Sequence, residues 1–167
     1  MIDVDTLTPL VAPLADALRA KGWRMTSAES CTGGLIAAAC TTLAGSSDWF
    51  ERGFVTYSNA AKCEQLGVDA ALIATHGAVS GEVAGAMAAG ALAHSPADIA
   101  VAVTGIAGPG GAVPGKPVGT VWLALMQRGG AVQAERLQLA GDRASVRAQT
   151  VVIALQRMLA AALGARP

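Results

Sequence analysis

Apolar residues recur at helical spacing near the start of the chain: Leu7, Leu10, Val11, Leu14, Ala17 and Leu18 share a face, and Gly22 is placed to end the helix. Pro9 and Pro13 cannot both take a first helical position, so this helix begins near Val11 or is kinked. Trp23-Arg24-Met25-Thr26 reads as a short strand, and the run from Leu35 to Cys40 as a buried helix reaching about Thr42. Gly53-Phe54-Val55-Thr56-Tyr57 has strand-forming residues. Ser58-Asn59 then caps a helix over residues 60–66 with Gly67 as its stop, and residues 69–75 read as a short helix. Ser80 opens a helix to about Ala93. Its small residues around Gly85 and Gly90 permit close approach to a sheet or to another subunit. Ile99 to Val103 is a continuous apolar run, as expected of a strand covered on both faces. Residues 118–126 and 132–139 flank Gln127-Arg128-Gly129-Gly130 and read as a hairpin. A last helix follows Gly141-Asp142-Arg143, with Val152, Leu155, Leu159 and Leu163 on one face.

Helices interleaved with strands, plus one hairpin, predict an α/β fold: a three-layer α/β/α sandwich around a mixed, mostly parallel sheet. At 167 residues the chain reads as a single domain, residues 1–167. Hydrophobic residues make up 53% but aromatics only 4%, so Ala, Val, Leu and Ile must build the core. Twelve basic residues balance twelve acidic ones, which gives no bulk attraction to nucleic acid or to an anionic membrane. Cys31, Cys40 and Cys63 fit no zinc spacing and read as reduced thiols, and His76 and His94 are too isolated to suggest a metal site. No apolar run approaches the length of a membrane span, and the start has no basic-then-apolar signal pattern. A cytoplasmic protein is expected.

The chemistry gathers at strand ends. Ser30, Tyr57 and Thr104 each follow a predicted strand, and ligand sites of open α/β sheets lie beyond the strands' carboxyl ends. Ser30-Cys31-Thr32-Gly33-Gly34 sits where a strand becomes a helix, so unpaired N–H groups of the helix's first turn would be at hand for an oxyanion or a phosphate. Lys62 falls in the first turn of its helix, where the macrodipole disfavours a cation. That field and partial burial would lower its pKa, as a general base for a serine requires. Taken alone, a solvated helix lysine is the ordinary reading. Cys31 competes with Ser30 for the nucleophile role, because a thiol at a helix N-terminus is acidified, while a buried structural cysteine is as reasonable. Arg143, at the start of the last helix, is again misplaced for the dipole. It fits carboxylate or phosphate binding, or a salt bridge to Asp142 or Glu29. Glu29 suits a role positioning Lys62 or a substrate hydroxyl, or one as an acceptor for backbone N–H groups. Gly110 to Lys116 matches G-x-x-x-x-G-K, but Pro117 and a strand follow instead of a Ser or Thr and a helix, so an ATPase loop is rejected and a generic anion-cradling loop is kept.

Several segments together carry a resemblance: Ala28-Glu29-Ser30-Cys31-Thr32-Gly33-Gly34, Gly45-Ser46-Ser47, Gly53 to Asn59 with Lys62, and Gly77-Ala78-Val79-Ser80. They continue with Thr104-Gly105-Ile106-Ala107-Gly108-Pro109, Lys116 to Val121, and Gly141-Asp142-Arg143 with Arg147. In these the chain resembles the nicotinamide-nucleotide amidohydrolase family, the stand-alone form of the CinA C-terminal domain. The resemblance implies metal-free, cofactor-free hydrolysis of the carboxamide of nicotinamide mononucleotide, giving nicotinic acid mononucleotide and ammonia in pyridine-nucleotide salvage. It implies a Ser–Lys arrangement of Ser30 as nucleophile and Lys62 as base, with Tyr57 in the catalytic group. Glu29, Thr32, Gly33, Gly34, Ser47, Thr104, Gly105, Gly108 and Arg143 would meet the substrate, and N–H groups between Cys31 and Gly34 the oxyanion. The loop after Gly108 departs from the more acidic family version. A non-catalytic pyridine-nucleotide-binding or regulatory domain is the alternative, and a homo-oligomer contact could form at the small-residue helix.

Overall fold

The computed structural model describes residues 3–164. A 3-10 turn at Val4–Leu7 runs directly into α1 (Thr8–Lys21), so the helix begins three residues before Val11 and continues through Pro13. Pro9 falls in the first turn, where its missing N–H costs nothing, and Gly22 ends the helix in the left-handed conformation at φ 65°. Next come β1 (Met25–Glu29), α2 (Leu35–Cys40) and β2 (Phe50–Val55). The middle of the chain is α3 (Asn59–Leu66), α4 (Ala70–His76), α5 (Gly81–Ala93) and β3 (Ile99–Gly105). The hairpin β4 (Thr120–Gln127) and β5 (Gln133–Gln138) leads into α6 (Arg143–Ala162).

The five strands lie in the order β2-β1-β3-β4-β5. Two pairings are parallel (β1 with β2 and with β3) and two antiparallel, which leaves β4 as the one strand running against the other four. Helices α1, α2 and α6 cover one face and α3, α4 and α5 the other. The first face buries Leu14, Leu18, Trp49, Leu155 and Met158 against Ile99, Val101 and Val103. The second is finer-grained, with Ala84, Met87, Ala88 and Ala91 of α5 against Ala28, Ala100, Ala102 and Ala124 of the sheet. Alternate residues of β3 thus serve both layers, as its unbroken apolar run requires.

Two strands lie away from their expected positions. β1 begins two residues later than Trp23 and extends through Glu29, with all five residues buried. Its polar residues hid it, because they are satisfied inside the fold: the Thr26 hydroxyl donates to the Arg52 carbonyl at 2.8 Å. β2 begins at Phe50 and stops at Val55, leaving Tyr57 outside the sheet. As an edge strand it carries Glu51 and Arg52, charges that disguise a strand in sequence and protect an edge in structure.

The small residues of α5 serve this chain's own packing. A Cβ on Gly90 would collide with the carbonyl of Leu66 at the end of α3, and one on Gly85 would stand 3.0 Å from Val132. Both glycines are buried within the chain, so the subunit contact expected at them has no free surface there.

Candidate active site

The parallel strands set the site. Glu29 lies opposite Val55 on one side and Val103 on the other, so β2 and β1 end level with each other and β3 runs two residues further. Two backbone bonds extend this register past the strands: Ser30 N–H donates to the Val103 carbonyl at 3.0 Å, and Thr56 N–H to the Glu29 carbonyl at 2.9 Å. Ser30 therefore leaves β1 with a fixed backbone.

Lys62 reaches it from α3. Ser58 caps that helix, its hydroxyl accepting from Ala61 N–H at 3.0 Å, which places Lys62 at the fourth helical position. Its side chain is 1% exposed, and Nζ lies 3.1 Å from Ser30 Oγ and 2.9 Å from the Thr56 carbonyl oxygen. No carboxylate forms an ion pair with it among the described residues. Burial, which disfavours the charged form, pushes its pKa below the usual lysine value. A neutral amine fits these contacts: one N–H donates to Thr56 and the lone pair faces the serine O–H.

Glu29 turns out to organise the loop. It is fully buried, and one carboxylate oxygen accepts from the Thr32 hydroxyl at 2.7 Å and from the N–H groups of Gly34 and Ile36, each at 3.0 Å. The other accepts from Ala37 N–H at 2.9 Å and the Ser27 hydroxyl at 3.4 Å. Neither Lys62 nor Arg143 contacts it, so its expected part in substrate binding is replaced by the capping alternative. This also corrects the picture of a free helix terminus. The N–H groups of Gly34, Ile36 and Ala37 are occupied by a carboxylate, leaving Leu35 N–H without a partner among the described residues, and Gly33 N–H donates to the Ser30 carbonyl at 3.1 Å. Within the loop, the N–H groups of Cys31 and Thr32 make no hydrogen bond to another described residue. Gly33 and Gly34 have φ of 62° and 96°, a turn that residues with side chains resist.

Cys31 is buried, and desolvation pushes its thiol up to about 12 against the opposing pull of its own backbone N–H. Such a sulfur is protonated at neutral pH, the reverse of an acidified nucleophile.

Around this centre, Thr104 is 1% exposed and donates its hydroxyl to the Ala78 carbonyl at 2.8 Å, tying the end of β3 to the loop before α5. Gly105 lets β3 lie against β4, where a Cβ would come 2.7 Å from Val121. Arg143 donates to the Tyr57 hydroxyl at 2.8 Å and to the Gly108 carbonyl at 3.1 Å, and neither Asp142 nor Glu29 forms the alternative salt bridge. Asp142 instead caps α6, accepting from Ser145 N–H at 2.8 Å. Ser47 is not brought in: it is exposed in the turn before β2, at the opposite end of the sheet from Ser30. The Gly110 to Lys116 loop closes on itself through paired Val113 and Lys116 bonds, and Lys116 Nζ donates to the His76 carbonyl, which leaves it unlike a phosphate loop.

A cleft of 760 Å³ lies beside the start of α2, bounded by Leu35, Ala107, Pro109, Val118, Arg143 and Arg147, with neither Ser30 nor Lys62 in its lining. It is of ordinary size for a small-molecule site, and mostly apolar with cationic groups at one wall. Arg147 also lines this wall, although its sequence motif assigns it no role. Its signal was the spacing, since four residues after Arg143 on a helix means the same face. The Thr56 carbonyl had no sequence signal, being a backbone atom.

The model of the CinA C-terminal domain matches residues 7–162. The chain belongs to the CinA C-terminal domain family. Within it, the chain is 54% identical over 153 residues to the nicotinamide-nucleotide amidohydrolase PncC of Enterobacter agglomerans, covering 92% of this chain and 93% of that one. It is 50% identical over 152 residues to PncC of Escherichia coli strain K12, covering 91% and 92%. The crystal structure of competence/damage inducible protein CihA from Agrobacterium tumefaciens superposes with a TM-score of 0.89 at 46% identity, covering 98% of this chain and 97% of that one.

Proposed function

We propose that this chain is a nicotinamide-nucleotide amidohydrolase, hydrolysing the carboxamide of nicotinamide mononucleotide to nicotinic acid mononucleotide and ammonia, with Ser30 as nucleophile and Lys62 as its base. The activity is that named for relatives sharing half or more of its residues over nine-tenths of the chain. The observation that carries the mechanism is the 3.1 Å approach of a buried, carboxylate-free Lys62 Nζ to Ser30 Oγ.

Neutral Lys62 takes the Ser30 proton as Oγ attacks the carboxamide carbon. The carbonyl oxygen becomes an oxyanion facing the free N–H groups of Cys31 and Thr32, donors already fixed in place. Lys62, now an ammonium, gives its proton to the amide nitrogen; the C–N bond breaks and ammonia departs, leaving an ester on Ser30. Water then attacks that ester with Lys62 again taking the proton, and returning it to Ser30 Oγ as the acid leaves. Tyr57 and Arg143, linked at 2.8 Å, form the outer wall, with Arg143 meeting the substrate and Tyr57 holding its guanidinium in place. Gly108, whose carbonyl holds the other arm of Arg143, and Thr104 with Gly105 shape the wall from behind. A cytoplasmic setting is supported by three free thiols.

Ammonia release from nicotinamide mononucleotide, compared between Ser30→Ala and Cys31→Ala, tests this. Loss in the serine variant with activity kept in the cysteine variant is expected. Loss in the cysteine variant alone would overturn the assignment.

A further inference from the structure

We propose that Arg147 is the positioning residue of the oxyanion site: it orients the Cys31–Thr32 peptide so that Thr32 N–H faces the reacting carbonyl. This rests on the serine mechanism above. Arg147 stands half-buried one helical turn after Arg143, and Nε donates to the Cys31 carbonyl at 3.1 Å while Nη2 donates to the Thr32 carbonyl at 2.8 Å.

A trans peptide carries its C=O and the following N–H on opposite sides of one rigid plane. A guanidinium holding the Cys31 carbonyl towards α6 therefore turns Thr32 N–H away from α6. The second arm does the same for the next peptide, and its N–H, that of Gly33, is indeed found on the Ser30 carbonyl. That bond in turn fixes the Ser30–Cys31 peptide and so the direction of Cys31 N–H. Both unoccupied donors of the loop belong to peptides whose carbonyls are held, one by Arg147 directly and one through Gly33. The planar two-armed geometry is what a guanidinium supplies and an ammonium does not.

Glu29 gives the reason such a clamp is required. With the α2 terminus capped by a carboxylate, the helix offers the oxyanion no free first-turn N–H at Gly34, Ile36 or Ala37. What remains for the oxyanion is Leu35 N–H and the loop peptides, and loop peptides need fixing. The nearby guanidinium also adds a positive charge behind them.

The test uses the full chain with Arg147→Gln and Arg147→Lys, assayed for ammonia release from nicotinamide mononucleotide. Substrate affinity is measured separately in a Ser30→Ala background, and inhibition by the aldehyde analogue of the substrate, which adds Ser30 Oγ–H across its C=O, is measured with Ser30 in place. In Arg147→Gln, kcat falls about 10²-fold, the scale of losing one oxyanion donor. Aldehyde affinity falls in parallel, substrate affinity stays within about twofold, and Arg147→Lys recovers part of kcat. A purely structural role would lower thermal stability and leave kcat per folded molecule unchanged, which overturns the proposal. Weakened substrate affinity with unchanged kcat overturns it too, and makes Arg147 a ground-state contact. If Arg147→Gln does not fold, the same split read on Arg147→Lys decides. Ser30→Ala separates the two levels: retained ammonia release there removes the serine mechanism and this proposal together. An inactive Ser30→Ala beside a fully active Arg147→Gln removes this proposal alone.

Discussion

Lys62 Nζ lies 3.1 Å from Ser30 Oγ inside the protein, with a backbone carbonyl rather than a carboxylate as its other partner. A carboxylate would hold the lysine as a cation, whereas burial beside a carbonyl lets it lose its proton and accept another. The arrangement has a measurable consequence in pH. Burial lowers the Lys62 pKa, and the neutral amine is the working form, so kcat/KM should rise with pH and level off at an apparent pKa below the ordinary lysine value of 10.5. A pH–rate profile on nicotinamide mononucleotide checks this; a limb still climbing with a midpoint at or above 10.5 would contradict it.

The same shift has a stability signature of defined sign. A lysine whose pKa is lower folded than unfolded leaves the unfolded chain binding more protons in the interval between the two values, so folding stability rises with pH there. Below that interval the burial penalty is full, and above 10.5 it is gone. Denaturant unfolding of the wild type and Lys62→Met should therefore show the wild type gaining on the variant as pH rises towards 10.5. A difference independent of pH would mean that Lys62 is not perturbed.

Glu29 is a structural keystone of the serine loop, and its loss should read as stability before chemistry. Glu29→Ala strands the buried Thr32 hydroxyl and the N–H groups of Gly34, Ile36 and Ala37. At about 1–3 kcal/mol for each buried donor left unpaired, partly offset by water, the melting temperature should fall by roughly 5 °C or more. Thermal melts measure it directly; a shift under 1 °C would show that the cap carries little.

Tyr57 and Arg143 should act as one unit. Their side chains meet at 2.8 Å, and each is exposed, so neither holds the fold together. Tyr57→Phe and Arg143→Ala should each raise KM, and the double variant should cost less than the sum of the two. Additive effects in the cycle would mean that the two contact the substrate independently.

The helix α5 provides a check on the fold itself. Gly90 faces the carbonyl of Leu66 with no room for a methyl group, so Gly90→Ala forces α3 and α5 apart. Overpacking of this kind costs about 1–3 kcal/mol or more. Gly115, open to solvent but in a left-handed turn, should lose less on the same substitution.

Much of this was legible before any coordinates, for physical reasons that differ between elements. β3 announced itself by an apolar run with both faces covered, and α3 by Ser58 and Gly67 at its ends. The pairing of Ser30 with Lys62 was readable because a cation in a first helical turn asks for an explanation. β1 and β2 were misplaced by a few residues where buried hydroxyls and an edge's charges look like loop. Glu29 was read in two ways because sequence cannot say whether a carboxylate faces a helix terminus or a substrate; its five donors decide that. Ser47 shares a motif with the site residues, but the direction of β2 carries it to the far end of the sheet.

Activation of Ser30 depends on the Lys62 amine acting as its base. The initial rate of ammonia release from nicotinamide mononucleotide by folded Lys62→Met, set against the wild type at the same pH, addresses it most directly. A fall of about 10²- to 10⁴-fold with the fold intact is the predicted result. A rate equal to that of the wild type would contradict the assignment.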